Sequence, residues 1–242
     1  MRLVAWNCNM ALHRKFDALL GLEPDIAVVS ECAEPARLLQ RGLDCAPHSP
    51  VWIGGNPNKG LGVFAFNGYA VGLAEDYQPT LRWVAPVHVE GPHRFNLLAV
   101  WAQNLSGGVS RKKQSGPLRR ALSRYRHLLA GDPAFVAGDF NNNVIWDRPG
   151  WRINHAVAVA KLEDLGLVSA YHELHDEPQG AETAPTLYWR DRTKHGPTYH
   201  LDYIFVPRDR IDRITEFRVG SFEDWCGARL SDHVPVVVDI DL

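Results

Sequence analysis

The chain has 242 residues, 45% of them hydrophobic, enough to bury a sizeable core in one large domain or two small ones. Its net charge of −2 gives no global basic field of the kind that draws a whole protein to nucleic acid. Four cysteines (Cys8, Cys32, Cys45, Cys226) stand far apart without a CxxC pair, which argues against a zinc knuckle or disulfide framework. The N-terminal apolar run is too short for a signal peptide and no stretch approaches a membrane span, so a cytoplasmic protein in a reducing compartment is expected.

Residues 3–6 predict a short strand closing on Asn7. Leu12, Phe16, Leu19 and Leu20 share one face of a helix that Gly21 is placed to stop. Pro24 and Asp25 break that pattern before a second apolar run, residues 26–29, which ends in Ser30 and Glu31. Strand, helix, strand with this crossover length is a βαβ unit with parallel strands. Asn7 and Glu31 are therefore expected at the C-terminal ends of neighbouring strands, on one edge of one sheet. A short helix is expected over residues 35–40. Residues 60–66, 69–74 and 81–90 read as meander strands, and residues 56–60 as a loop whose Lys59 is placed to touch a substrate phosphate. No repeat or Pro/Ser-rich linker divides the chain, which favours a single domain over residues 1–242.

The same construction recurs further on. Residues 95–101 predict a strand, and residues 117–130 a helix opened by Pro117 and stopped by Gly131, with Leu118, Leu122, Tyr125 and Leu129 on one face. The apolar run 134–137 then gives way to Gly138-Asp139-Phe140-Asn141-Asn142-Asn143, so Trp101 and Asp139 arrive at one edge. This crossover carries Arg111, Lys112, Lys113, Arg119, Arg120, Arg124 and Arg126, and no Asp or Glu occurs between Gly91 and Gly131. Such a segment can attract a polyanion despite the near-neutral whole. Residues 154–165 predict a helix capped by Asn154. Residues 172–179 read as irregular surface, with His172 and His175 lacking a third ligand of matching pattern. In the strand-like stretch 199–206, Asp202 is a carboxylate where burial is costly unless it is paired. Ser231-Asp232-His233 precede the final apolar run, residues 234–238. Antiparallel placement of that run would bring Asp232 and His233 to Asn7, Glu31 and Asp139.

Carboxylates and amides with few histidines and no thiolates describe a hard, oxygen-rich site suited to Mg²⁺ or Mn²⁺. The order and wording of these motifs resemble the endonuclease/exonuclease/phosphatase superfamily, which includes relatives of exonuclease III and deoxyribonuclease I. The likeness spans the chain: Trp6-Asn7, Ser30-Glu31, Gly138-Asp139-Phe140-Asn141, Leu201-Asp202-Tyr203-Ile204 and Ser231-Asp232-His233. It implies an α/β fold, a four-layer α/β/β/α sandwich of two packed mixed sheets. It also implies that Glu31 is the principal metal ligand, with Asn7 and Asp232 on the metal side. Asp139 would activate or orient water, Asn141 would hold a phosphate oxygen, and His233, oriented by Asp202, would contact the scissile phosphate.

Three positions depart from the family pattern. Ser30 stands where many members have Gln, Asn9 where abasic-site endonucleases commonly have Asp, and Trp101 where relatives often carry a catalytic Tyr or His. The leading expectation is a Mg²⁺- or Mn²⁺-dependent nuclease, acting as a monomer without an obligate protein partner or a membrane. Lys59, Trp101 and Asn104 are its expected substrate contacts, with Trp101, Trp146, Trp151 and Trp189 able to stack bases. The alternatives are a phosphatase or phosphodiesterase for sugar, inositol or lipid phosphates, and a non-catalytic binding module. Retention of the acids, the amides and the Asp-His pair speaks against the module.

Overall fold

The computed structural model describes residues 1–42, 50–81, 83–102, 117–131, 133–189 and 193–242. Asn104, Arg111, Lys112, Lys113 and Cys45, all singled out above, lie outside the described residues.

In chain order, β1 (Arg2–Asn7), β2 (Ile26–Cys32), β3 (Val51–Asn56) and β4 (Lys59–Ala65) belong to the first sheet. Strands β5 (Ala70–Leu73), β6 (Val84–Glu90), β7 (Phe95–Trp101), β8 (Ala134–Asp139) and β9 (Leu167–Ser169) build the second. A small ribbon, β10 (Leu187–Tyr188) with β11 (Thr198–Tyr199), follows. The chain then returns β12 (Asp202–Pro207) to the second sheet and β13 (Ile214–Val219) and β14 (Val236–Ile240) to the first. Each sheet has six strands, ordered β13-β14-β1-β2-β4-β3 and β5-β6-β7-β8-β12-β9.

Side-chain alternation along the strands sorts the apolar residues into layers. Leu3 and Ala5 of β1, Ile26 and Val28 of β2, Phe135 and Ala137 of β8, and Ile204 and Val206 of β12 meet in the core between the sheets. Their neighbours Val4, Trp6, Ala27 and Val29 face outward onto α1 (Phe16–Leu20) and α2 (Pro35–Leu39) through Phe16, Leu19 and Leu38. On the far side Val136, Tyr203 and Phe205 are covered by α3 (Pro117–Arg124), α4 (Arg126–Leu129) and α5 (His155–Glu163). Strands apolar on both faces are thus buried on both faces, and the result is helices, sheet, sheet, helices.

Both expected βαβ units form: β1 pairs parallel with β2, and β7 with β8. They fall in different sheets, as the two packed sheets implied by the resemblance require, so the two sets of strand ends meet across the sandwich. Strand β14 runs antiparallel to β1, as the motif at its start requires. Several local expectations are corrected. Residues 56–60 are not an open loop but a tight hairpin in which Asn56 pairs with Lys59. The helix expected over residues 117–130 is broken at Tyr125 into α3 and α4. Residues 172–175, read as irregular surface, belong to α6 (Ala170–His175), in which His172 turns inward to Ser169 and Glu182 while Glu173, Leu174 and His175 stay exposed.

Candidate active site

The positions that carry apolar core residues between the sheets turn polar at one end of the sandwich. On β1 the inward series Leu3, Ala5 continues to Asn7; on β8, Phe135 and Ala137 continue to Asp139; on β12, Asp202 precedes Ile204 and Val206. Register fixes them to one another: Asp139 lies opposite Asp202 and beside Trp101, and Asn7 lies beside Ser30. Strand β8 ends at Asp139, where the sequence placed its end. Gly138 has φ of 134°, and a Cβ there would sit 1.9 Å from the Val100 carbonyl oxygen, so the close approach of β8 to β7 requires glycine.

Asp139 is fully buried and is held from three directions. Asn7 Nδ2 donates to its Oδ2 at 2.9 Å, and Asn141 donates through its backbone N–H to Oδ1 and through Nδ2 to Oδ2, both at 2.7 Å. Burial, with the neighbouring Asp202 charge, pushes its carboxyl up to about 7. His233 Nδ1 meets Asp202 Oδ2 at 2.7 Å, which leaves Nε2 as the ring's other polar edge. Burial alone would favour the neutral ring. The Asp202 charge and hydrogen bond, joined by Asp139 and Asp232, outweigh it and raise the imidazole to about 10, so His233 is an imidazolium at neutral pH.

Asp139, Asp202 and His233 each offer a ligating atom within 4.8 Å of the others, and all three are buried. Asp202 Oδ1 has no hydrogen-bond partner among the described residues. An orphaned carboxylate oxygen in such a place is a candidate contact for a cation or a donor that arrives with substrate.

The expected metal side is arranged differently. Glu31 sits at a register shift between Ser30 and Cys32, with φ of 59°, and its carboxylate pairs with Lys59 Nζ at 2.9 Å. Lys59 also lies 5.4 Å over the Trp101 ring. Asp232 Oδ1 accepts from Asn9 Nδ2 at 2.9 Å, and the Asn9 backbone N–H donates to Asn7 Oδ1 at 3.0 Å. Among the described residues Glu31 and Asp232 do not join the three-residue cluster. Carboxylate and amide oxygens are nevertheless the donor types a hard divalent ion takes, and Glu31 already takes a cation in Lys59. Trp101 departs from its expected role: it is 3% exposed and stacks on Trp83 at 5.9 Å, so it presents no free face to a base.

The sequence gives no role to the groups that hold these residues still. Thr186 Oγ1, fully buried, accepts from the backbone N–H groups of Leu201 and Asp202 at 2.9 and 3.0 Å. Ser231 Oγ donates to the Asn7 carbonyl and accepts from the His233 N–H, tying β1 to the last motif. Asn143, third of the amide run, accepts from the Ile145 N–H and donates to Glu182, the His200 carbonyl and the Tyr203 hydroxyl. Only the unbroken amide run hinted at it. Thr186 carries no local signal, because its partners lie across a ribbon.

The architecture defines the class: a deoxyribonuclease I-like α/β/β/α sandwich. Solved structures with this fold include a 3′ phosphatase, NExo, from Neisseria, bound to product DNA hairpin, at TM-score 0.68 and 21% identity. They also include an AP endonuclease from Archaeoglobus fulgidus at TM-score 0.70 and 18% identity; each likeness covers 100% of both chains. An endonuclease/exonuclease/phosphatase from Beutenbergia cavernae follows at 0.66 and 20%, covering 100% of this chain and 71% of that one. No protein-family model matches the chain, and no curated protein matches it in sequence.

Proposed function

We propose that the protein is a divalent-metal-dependent phosphoesterase that hydrolyses phosphodiester bonds in DNA or RNA by in-line attack of water. The observation that carries this reading is the buried Asp139–Asp202–His233 cluster, placed where the inward faces of both sheets turn polar. The solved structures that share the fold, an AP endonuclease and a 3′ phosphatase bound to product DNA hairpin among them, favour nucleic acid over a small phosphate.

Asp139, fixed by Asn7 and Asn141 and raised to about 7, is suited to take a proton from the attacking water. Asn141 adds an amide dipole toward a non-bridging oxygen. His233, cationic and locked through Nδ1 by Asp202, presents Nε2–H to the phosphoryl group and stabilises the charge that builds there. Glu31, Asn7 and Asp232 would hold Mg²⁺ or Mn²⁺. A divalent ion bound there supplies Lewis acidity toward the phosphoryl oxygens and leaving group.

The test is incubation of the purified protein with single- and double-stranded DNA, RNA and bis-p-nitrophenyl phosphate, in Mg²⁺, in Mn²⁺ and in chelator. Cleavage that requires metal and is abolished by Asp139→Ala or His233→Ala is expected. Turnover that persists in excess chelator, or after Glu31→Ala, overturns the reading.

A further inference from the structure

Beside the reaction centre the structure forms a cavity of about 270 Å³, lined among others by Trp146, Trp151, Ile153, Asn141 and Asn142. Its walls are held in place before any ligand arrives. Asn142 Nδ2 donates to the Ile153 carbonyl at 2.9 Å, and Asn154 bridges the Arg148 N–H and carbonyl at 3.0 and 2.8 Å. Asp147 receives the His155 and Ala156 N–H groups at the start of α5, at 2.6 and 2.9 Å. Trp146 leans on Tyr199 with ring centroids 4.9 Å apart, yet keeps 40% of its surface exposed.

We propose that this cavity takes the base of the nucleotide next to the scissile phosphate. The inference rests on the phosphoesterase reading above and names the substrate feature that reading leaves open. Asn141 is shared by the cavity and by the Asp139 cluster, so a group seated between the indoles lies one residue from the proposed phosphate contact. A pocket with two indoles and an aliphatic wall suits a flat, π-faced group rather than a bare phosphate. Of the polar side chains on the lining, Asp147 and Asn154 are committed to backbone groups of their own loop, and Asn141 and Asn142 direct their Nδ2 groups to Asp139 and to the Ile153 carbonyl. Stacking without edge readout tolerates every base. The seated base must also be out of its helix stack, because a paired base has neither face available. The substrate this site selects is therefore a nucleotide in a single strand or at a frayed end, with weak sequence preference.

The test measures binding and turnover of a fluorescein-labelled oligo-dT and of a base-free tetrahydrofuran phosphate oligomer of the same length. Wild type should bind oligo-dT more tightly than the base-free oligomer by roughly 5- to 150-fold, the span of one to a few kcal/mol of stacking. Trp146→Ala and Trp151→Ala should each collapse that ratio, and Trp146→Phe should restore much of it. Discrimination that survives both alanine variants overturns the pocket, as does a wild type that never discriminates. Failure of the phosphoesterase reading looks different: no cleavage of either oligomer under any metal, whatever the binding ratio. Equal affinity for oligo-dT, oligo-dC and oligo-dA within a few-fold is the further expectation, and strong preference for one base would contradict stacking as the basis.

Discussion

At the residue scale the site is a set of paired charges whose partners decide what each can do. Asp139 keeps its place through Asn7 and Asn141, so Asp139→Asn should leave the fold intact and lower kcat by about 10²- to 10⁴-fold, the usual contribution of a general base. Steady-state kinetics on oligonucleotide, beside an unchanged urea midpoint, checks both halves. Asp202 acts through His233. Asp202→Asn removes the charge that holds the imidazolium, and the ring pKa should fall from about 10, read by NMR titration of the metal-free protein. A ring that still titrates near 10 would assign the charge stabilisation to Asp139 and Asp232 instead. Lys59 poses a separate question, since its ammonium pairs with the carboxylate proposed to hold metal. Lys59→Met should tighten Mg²⁺ binding by about two- to five-fold in calorimetry, the scale of a half-exposed ion pair. It should also weaken oligonucleotide binding, and only the opposite signs together identify a lysine that competes with metal and then serves phosphate.

At the element scale the strand ends do the positioning, and they were also the most legible part of the chain. Strands β1, β2, β7 and β8 show as apolar runs because both their faces are buried, and each run breaks at the residue that enters the cleft. What the runs alone could not tell is which sheet each strand joins; that the two βαβ units belong to two packed sheets came from the family resemblance. Glu31 was legible as a strand-end acid, but the register shift that aims it at Lys59 depends on β4, a partner remote in sequence. Helix α6 was missed because His172 and Glu173 look like surface residues, and the buried Ser169 and Glu182 that pair with His172 are visible only in three dimensions. Gly138 tests the strand argument directly. Gly138→Ala places a Cβ against the Val100 carbonyl in a backbone conformation closed to L-residues, and should cost ~3 kcal/mol or more by urea denaturation. Gly72→Ala on edge strand β5, where nothing lies within 4 Å of the added Cβ, should stay within about 0.5 kcal/mol of wild type.

At the scale of the whole molecule, a buried polar cluster ties the helices on the second sheet to the loop that carries the site. His155 of α5 packs against Phe140 and Tyr203, His172 of α6 meets Glu182, and Asn143 joins Glu182 to Tyr203. Burial holds His155 neutral, down to about 4, although Glu182 pulls the other way. Burial works against the charge on Glu182, but hydrogen bonds from His172, the Gly180 N–H and Asn143 prevail and hold it down to about 2. Both groups bind protons more readily in the unfolded chain, where a histidine titrates near ~6.5 and a glutamate near ~4.3. Stability is then fully present above those values and is lost as pH falls. The His155 contribution should disappear between about 6.5 and about 4, and the Glu182 contribution between about 4.3 and about 2. Asp139, raised to about 7, works in the opposite direction over the same range, because its native carboxyl binds a proton more readily than the unfolded one, so the His155 share is read as a difference in urea midpoint between wild type and a variant without that imidazole. His155→Phe keeps a ring against Phe140 and Tyr203 but removes the titrating group, so its midpoint should gain on the wild-type midpoint as pH falls from about 6.5 to about 4 and run parallel to it below. A difference between the two midpoints that stays constant from pH 7.5 to 4.5 would mean that His155 is not held neutral in the fold, and the cluster would then be no acid-sensitive clasp between the helices and the site.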